Sequence, residues 1–135
     1  TSKLFMNIRE KMSLCYDIGS GYYGTKGIVT LCAGIDCDKE QIVKDEIFAQ
    51  LDACRNGQIT EEELTAAKQG LISGLQATHD TPGSIESYYA TATVSGLKLT
   101  PREYILAIEQ VTAKDVARAA QSLALHTTYF LRGVS

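Results

Sequence analysis

Arg9 and Tyr16 are the residues of this chain whose types and spacing are best suited to shared chemistry. They stand seven positions apart, in a segment whose pattern changes between them. From Leu14 onward the pattern is β-compatible, whereas the residues before it recur at the spacing of a helix with one buried face: Leu4, Phe5, Ile8 and Met12. A guanidinium near a helix end would therefore lie close to a phenol at the start of a strand, and both donors could point at one extended ligand.

A structural interpretation of the same two residues stays open at this point. Arg9 could pair with an acidic neighbour such as Asp17, and Tyr16 could simply pack. Ion pairs at surfaces and packed tyrosines are both common, so the residues taken alone favour this interpretation.

Metal and nucleophile chemistry are poorly supported by the rest of the chain. His79 and His126 are the only two histidines, and they are far apart, with no glutamate in register with either. A zinc peptidase needs clustered ligands and a glutamate base. Local sequence supports neither a Ser/His/Asp or Cys/His triad nor a glycine-rich phosphate loop. We therefore predict no catalytic residue and no metal ligand in this chain, which alone should not hydrolyse peptides.

The segment around Arg9 and Tyr16 also carries a family resemblance. Its motif residues follow the order Phe5, Arg9, Glu10, Lys11, Leu14, Tyr16. This order resembles the segment (L/F)xxxR(E/T)KxxLxY in the non-catalytic C-terminal domain of the pitrilysin/insulinase zinc peptidases, whose relatives include the mitochondrial processing peptidases. The resemblance continues through residues 33–36 and 57–68. In the family the residue before the tyrosine is commonly small, and Cys15 at this position departs from that pattern.

The resemblance implies a specific role. Arg9 and Tyr16 would contact a peptide substrate, with the arginine donating to peptide carbonyls and the phenol stabilising the oxyanion of the attacked amide. Zinc would be held in a partner N-terminal half or partner subunit, and this domain would be catalytically inert. The alternative is a non-enzymatic structural or assembly subunit of the same family. The parent protein would be a zinc metallopeptidase or its inactive partner.

Composition sets broader limits. The chain has 135 residues, a hydrophobic content of 44% and a net charge of −3, so it is one domain or part of one, with no basic patch for nucleic acid. No apolar run approaches the roughly 20 residues that span a bilayer. No signal-like segment precedes the first helix, so we expect a cytoplasmic location and no membrane partner. The chain also reads as a piece excised from something longer.

The four cysteines are interpreted as buried or half-buried thiols that act as small apolar residues. Cys15, Cys32, Cys37 and Cys54 form no CxxC pair, which makes a zinc site from them improbable. Disulfides would require an oxidising compartment.

A β-hairpin is predicted over residues 14–36. Gly24 and Gly27 bracket its turn, and the return strand over residues 28–35 is almost continuously apolar. Such a strand is expected to be central in its sheet or buried on both faces.

Helices are predicted through the remainder, with polar residues marking their starts. Ser2 is predicted to cap the first helix. Asp38 and Gln41 are predicted to form a capping box at the start of the second helix, which is predicted to stop at Asn56-Gly57. The later helices begin with a Thr60–Glu63 capping box, with Thr81-Pro82, with Thr100-Pro101 and at residues 111–115. Residues 126–133 are predicted to form a closing strand, which in the family returns to the main sheet.

The predicted fold class is α+β, with a mainly antiparallel sheet covered on one face by helices. Complete domains of the family are longer and begin with further strands and a helix, so this domain is expected to be incomplete at its N-terminal side. A chain of this kind that folds alone must expose a sheet edge or pair that edge with a second copy, giving a homodimer.

Overall fold

The computed structural model describes residues 3–133, and Ser2, the predicted first helix cap, lies outside them. A π-helix opens the described chain, an antiparallel hairpin follows, and five α-helices complete it. Short 3-10 turns at Cys37–Lys39 and Ala77–His79 join some of these elements. The elements are the π-helix Phe5–Lys11, β1 (Asp17–Tyr23), β2 (Ile28–Gly34), α1 (Glu40–Arg55), α2 (Glu61–Gln76), α3 (Pro82–Ser95), α4 (Pro101–Gln110) and α5 (Ala113–Gln121).

The predicted hairpin is confirmed, with shorter strands than expected. β1 and β2 pair in a register that runs from Asp17 opposite Gly34 to Tyr23 opposite Ile28. The turn between them ends at Gly27, whose φ of +62° lies in the left-handed region that glycine adopts without strain.

Threonine caps set the starts of the later helices as the sequence predicts. The side-chain oxygens of Thr60, Thr100 and Thr112 accept from the backbone N–H three residues on, and the carboxylate there accepts from the cap N–H in return. Thr81 caps α3, which has Pro82 in its first turn and ends at Gly96 with a φ of +70°.

The start of α1 differs from the prediction. The 3-10 turn Cys37–Lys39 takes the place of the capping box expected from Asp38 and Gln41, and α1 begins at Glu40. Gln41 donates instead to Asp45, one helical turn on, at 2.7 Å. The helix stop at Asn56 and Gly57 is confirmed, with Gly57 at a φ of +73°.

The principal core lies where the π-helix, β1 and α1 meet. It is formed by Ile8, Ile18 and Val43, which are almost completely buried. Half-buried apolar residues surround it: Leu4, Phe5, Leu14, Cys15, Ile35 and Ile47. Of the helix face predicted to be buried, Ile8 is enclosed, whereas Met12 is exposed. This core fixes the N-terminal helix against the open end of the hairpin.

Two expectations about the sheet are wrong. β2 is exposed along most of its length rather than buried on both faces, because no further strand lies beside it in residues 3–133. Residues 126–133 form no strand, and Arg132 ties this segment to α1 by an ion pair with Glu40 at 2.9 Å. The fold is therefore mixed α+β, and the described part of its sheet has two antiparallel strands.

No helix within residues 3–133 is both long and apolar enough to cross a membrane.

Candidate functional site

The backbone that carries Arg9 has an unusual conformation. Residues Phe5–Lys11 wind as a π-helix, a wide form that is rare and occurs frequently at functional sites. The helix ends in overlapping turns, in which Ser13 donates to the Arg9 carbonyl at 3.0 Å and Leu14 to the Ile8 carbonyl at 3.1 Å. Ser13 has a φ of +50°, a conformation that costs energy for a residue other than glycine. Strain of this kind is often retained where it shapes a site.

Arg9 lies at the surface with its guanidinium carbon 4.7 Å from the centre of the Phe5 ring. Its Nε is 4.0 Å from Glu10 Oε1, at the outer limit of an ion pair, and the side chain is 42% exposed. The acidic neighbour is thus Glu10 rather than Asp17. Within residues 3–133 the guanidinium donates no hydrogen bond, so its donors are open to a ligand while the aromatic ring restrains its position.

Tyr16 is held by its backbone and by its hydroxyl. Its N–H donates to the Gly34 carbonyl at 2.8 Å, beside the last pair of the hairpin. Its Oη donates to Asp36 Oδ1, and Lys39 Nζ lies 3.0 Å from Asp36 Oδ2. The residue is 68% exposed, so Tyr16 is not a packed tyrosine.

The partners of Tyr16 keep its phenol protonated. The hydrogen bond to the Asp36 carboxylate, together with its negative charge, raises the pKa of Tyr16 above its ordinary value. The same hydrogen bond, followed by that from Lys39, lowers the pKa of Asp36. Around neutral pH the pair is therefore a neutral phenol and a carboxylate, and the phenol is a hydrogen-bond donor.

Arg9 and Tyr16 line one shallow hollow of about 450 Å³ at the junction between the π-helix and β1. Glu10, Ser13 and Cys15 complete its lining. Burial raises the pKa of the Cys15 thiol, and Arg9 opposes this effect. The two side chains singled out in the sequence thus lie at the same site, and their contact with a substrate stays a prediction.

Five further residues of this site were not predicted from the sequence as site residues: Glu10, Ser13, Cys15, Asp36 and Lys39. Asp36 could have been found from the hairpin register, since a four-residue turn brings the residues after β2 beside those before β1. The role of Ser13 could not have been predicted from the sequence, because a serine does not indicate a positive φ.

The histidines and cysteines do not assemble into a metal site. No group of three potential ligands occurs in the described part of the chain, so these residues do not fit zinc. His126 Nδ1 instead lies 2.7 Å from Thr127 Oγ1. The four cysteines are all free; Cys15 and Cys54 are half-buried as predicted, whereas Cys32 and Cys37 are exposed.

A second, larger hollow of about 950 Å³ opens between the hairpin tip and helices α2–α4. Tyr22 faces it from the hairpin, and Leu75, Tyr88 and Tyr104 face it from the helices. Among the described residues no charged side chain lines it, and no sequence motif predicts it.

Comparison with known proteins identifies relatives over almost the whole chain. Residues 1–71 match the family described as "Peptidase M16 inactive domain". A "probable inactive metalloprotease" of Bacillus subtilis is 30% identical over 98% of this chain. An "uncharacterized zinc protease" of Rickettsia felis is 28% identical over 91% of it. These matches confirm the resemblance to the pitrilysin/insulinase peptidases, which form the M16 family.

A solved structure supports the same relationship. A conserved protein from Enterococcus faecalis superposes with a TM-score of 0.80 and 32% identity over 89% of this chain. The match takes in 28% of that protein, and 31% and 30% of the Bacillus and Rickettsia relatives. The chain therefore spans about a third of the length of the proteins it resembles.

Proposed function

Because this chain belongs to the peptidase M16 inactive-domain family, we propose that it is a peptide-binding, catalytically inert part of an M16 metallopeptidase. Arg9 and Tyr16 contact the main chain of an extended peptide in this proposal. Zinc and the residues that activate water belong to the partner N-terminal half. The sheet of this chain then belongs to a larger sheet, as in processing-peptidase-like domains.

One observation carries the proposal: the two donors line one hollow beside a strained backbone turn. A peptide carbonyl accepts hydrogen bonds, and both side chains are donors that the fold holds at the surface. The guanidinium is already restrained by the Phe5 ring, so less conformational freedom is lost when it binds.

The chemistry of the hollow suits binding and orientation of a peptide. Arg9 would fix a carbonyl by charge-assisted hydrogen bonds, and Tyr16 would add a neutral donor once its hydroxyl turns from Asp36 to the ligand. Among residues 3–133, Glu10 is the only carboxylate that lines the hollow, and it lies beside Arg9, so we propose no general base for attacking water in this chain. Hydrolysis would depend on groups outside this chain.

Peptide binding tests the proposal directly. A fluorescein-labelled, unstructured peptide of mixed sequence is titrated into the chain and its anisotropy is followed. We expect saturable binding, weakened about tenfold or more in Arg9→Ala, since a charged hydrogen bond contributes about 1.5–3 kcal/mol. Tyr16→Phe should weaken it about two- to twelvefold, as expected for a neutral hydrogen bond of about 0.5–1.5 kcal/mol.

Matched controls come from exposed residues of the same types elsewhere. Arg118→Ala and Tyr129→Phe alter side chains that are more exposed than Arg9 and Tyr16 and do not line the hollow. Both should bind the peptide like the unmodified chain. Equal affinity in Arg9→Ala, Tyr16→Phe and the controls would eliminate the assigned roles.

A second candidate function is a non-enzymatic structural or assembly subunit. It is favoured by the description of the Bacillus relative as a probable inactive metalloprotease. In that case the chain would bind a partner protein and no peptide would bind at the Arg9–Tyr16 hollow. The anisotropy titration separates the two functions, because only the first predicts saturable peptide binding that depends on Arg9.

A further inference from the structure

The hydroxyl of Tyr16 is engaged outside the hollow that this residue helps to form. Its Oη donates to Asp36 Oδ1, and Lys39 Nζ lies 3.0 Å from the other oxygen of that carboxylate. Arg9 and Tyr16 line the hollow, whereas Asp36 and Lys39 do not. The phenol therefore directs its proton to a group of the chain itself, at a position where no ligand in the hollow would share it.

The carboxylate of Asp36 is dedicated to this contact. Asp36 stands at the cap position of the 3-10 turn Cys37–Lys39, and an aspartate at the start of a helix usually accepts from a backbone N–H of the first turn. Within residues 3–133 the Asp36 side chain makes no such capping hydrogen bond. Its two oxygens are shared between Tyr16 and Lys39, so the phenol takes the place of the usual capping partner.

A peptide carbonyl must compete with this carboxylate for one proton. A tyrosine hydroxyl has a single O–H donor, and a hydrogen bond to an ionised acceptor is about twice as strong as one between neutral groups. The hydrogen bond from Tyr16 lowers the pKa of Asp36, so the carboxylate stays ionised around neutral pH. Because Tyr16 is largely exposed, water weakens the contact and keeps it reversible.

We propose that the contact between Tyr16 and Asp36 is an autoinhibitory latch on the Arg9–Tyr16 hollow. In the latched state a peptide gains the hydrogen bonds of Arg9 alone. When the phenol turns into the hollow, the peptide gains a second donor and is held more tightly. If the phenol is free in about a quarter of the molecules, the affinity of the two-donor state is reduced about fourfold. This inference rests on the proposed function, because it concerns peptide binding at the same site.

Anisotropy titration of the full 135-residue chain with the fluorescein-labelled peptide tests the latch. Asp36→Ala removes the competing acceptor and should lower the dissociation constant about two- to fivefold. Asp38→Ala is the matched control, because it removes the same charge from the same turn and Asp38 acts on Tyr16 through its charge alone. This control should leave the dissociation constant unchanged.

A double-mutant comparison shows whether the gain in affinity depends on the phenol. In the Tyr16→Phe background no hydroxyl is left to release, so the addition of Asp36→Ala should leave peptide affinity unchanged. A merely structural role of Asp36 would change the affinity equally in both backgrounds. Asp36→Asn keeps the size of the side chain and a neutral acceptor, so we expect a smaller gain from it. It keeps the latch testable if Asp36→Ala does not fold.

The outcomes separate the latch from the proposed function. If wild-type binding depends on Arg9 but Asp36→Ala and Asp36→Asn bind equally well or more weakly, the latch is overturned and the proposed function stands. An equal gain in Asp36→Ala and Asp38→Ala, or a gain that persists in Tyr16→Phe, would overturn the latch as well. If neither the wild-type chain nor Asp36→Ala shows binding that depends on Arg9, the proposed function is wrong and the latch falls with it.

Discussion

Tyr16 is the residue whose chemistry depends most on its immediate partners. Its hydroxyl proton is engaged by Asp36, and Asp36 is in turn held by Lys39. The phenol must turn away from the carboxylate before it donates to a peptide, so Asp36 competes with a ligand while it fixes the position of the ring. Within residues 3–133, the Arg9 guanidinium donates no hydrogen bond, and its one ion-pair neighbour is the distant carboxylate of Glu10. We therefore expect Arg9 to contribute more to peptide affinity than Tyr16.

Replacing Asp36 should change the acidity of Tyr16. In Asp36→Asn the charged acceptor is lost, and the pKa of Tyr16 should fall toward its ordinary value because the two largest causes of its rise disappear. Tyrosine-selective NMR, with Tyr16→Phe to assign the signal, measures this titration. An unchanged Tyr16 pKa in Asp36→Asn would show that the hydrogen bond does not persist in solution.

The same hydrogen bond gives stability a pH dependence with a definite sign. The pKa of Tyr16 is raised on folding, so its contribution is complete below the pKa of an unfolded tyrosine and is lost as pH rises through the folded value. Urea denaturation at neutral and alkaline pH should therefore show a smaller alkaline loss for Tyr16→Phe than for the unmodified chain. An equal loss in both chains would contradict this account.

At the scale of elements, the junction between the π-helix and β1 determines the geometry of the site. Its features are a wide helix, overlapping turns onto the Ile8 and Arg9 carbonyls, and the positive φ of Ser13. Together they bring the end of a helix directly against a strand, with Ile8 as the buried anchor. The junction therefore couples packing in the core to the position of Arg9.

Ser13→Gly tests whether the turn is strained. Glycine adopts a positive φ freely, so the substitution should remove a backbone strain of about 1–2 kcal/mol from the folded chain. Glycine also has greater conformational freedom in the unfolded chain, which offsets about 0.5–1 kcal/mol of that gain. We expect the free energy of unfolding to rise by about 0.5–1 kcal/mol in urea denaturation. Ser20→Gly, in β1, is the control and should destabilise the chain. A loss of stability in Ser13→Gly would contradict the strained turn.

The capping boxes make a second prediction at this scale. Thr100→Ala removes the hydroxyl that accepts from the Glu103 N–H and should lower the free energy of unfolding by about 1 kcal/mol. Thr93→Ala, exposed in α3 and not at a cap, should change it by no more than about 0.5 kcal/mol. Thermal and urea denaturation measure both. Equal effects of the two substitutions would show that the capping box does not stabilise α4.

The same elements show how far the sequence could predict the structure. Helix starts at Thr60, Thr81 and Thr100 were predictable because capping depends on residues a few positions apart. The exposure of β2 was not, because an apolar strand has the same sequence whether or not a neighbour covers it. The sequence also could not distinguish a π-helix from an α-helix, since both place Ile8 on a buried face and Arg9 beside it.

At the scale of the whole molecule, the chain combines a well-capped set of helices with a hairpin that is only partly covered. In the described part of the chain the most deeply buried cluster, Ile8, Ile18 and Val43, lies at the base of the hairpin, and the large hollow near Tyr22 separates the hairpin tip from α2–α4. The chain spans about a third of the length of its relatives. The Arg9–Tyr16 hollow lies at the covered base of the hairpin.

The central claim is that an extended peptide binds at the Arg9–Tyr16 hollow. The most direct measurement is a titration of the isotope-labelled chain with an unlabelled extended peptide, followed by backbone and side-chain NMR spectra. The account predicts that the Arg9 guanidinium and the amides of Ser13, Cys15 and Tyr16 shift together and saturate. Saturable shifts confined to the hollow around Tyr22 and Tyr88, or no shifts at all, would contradict it.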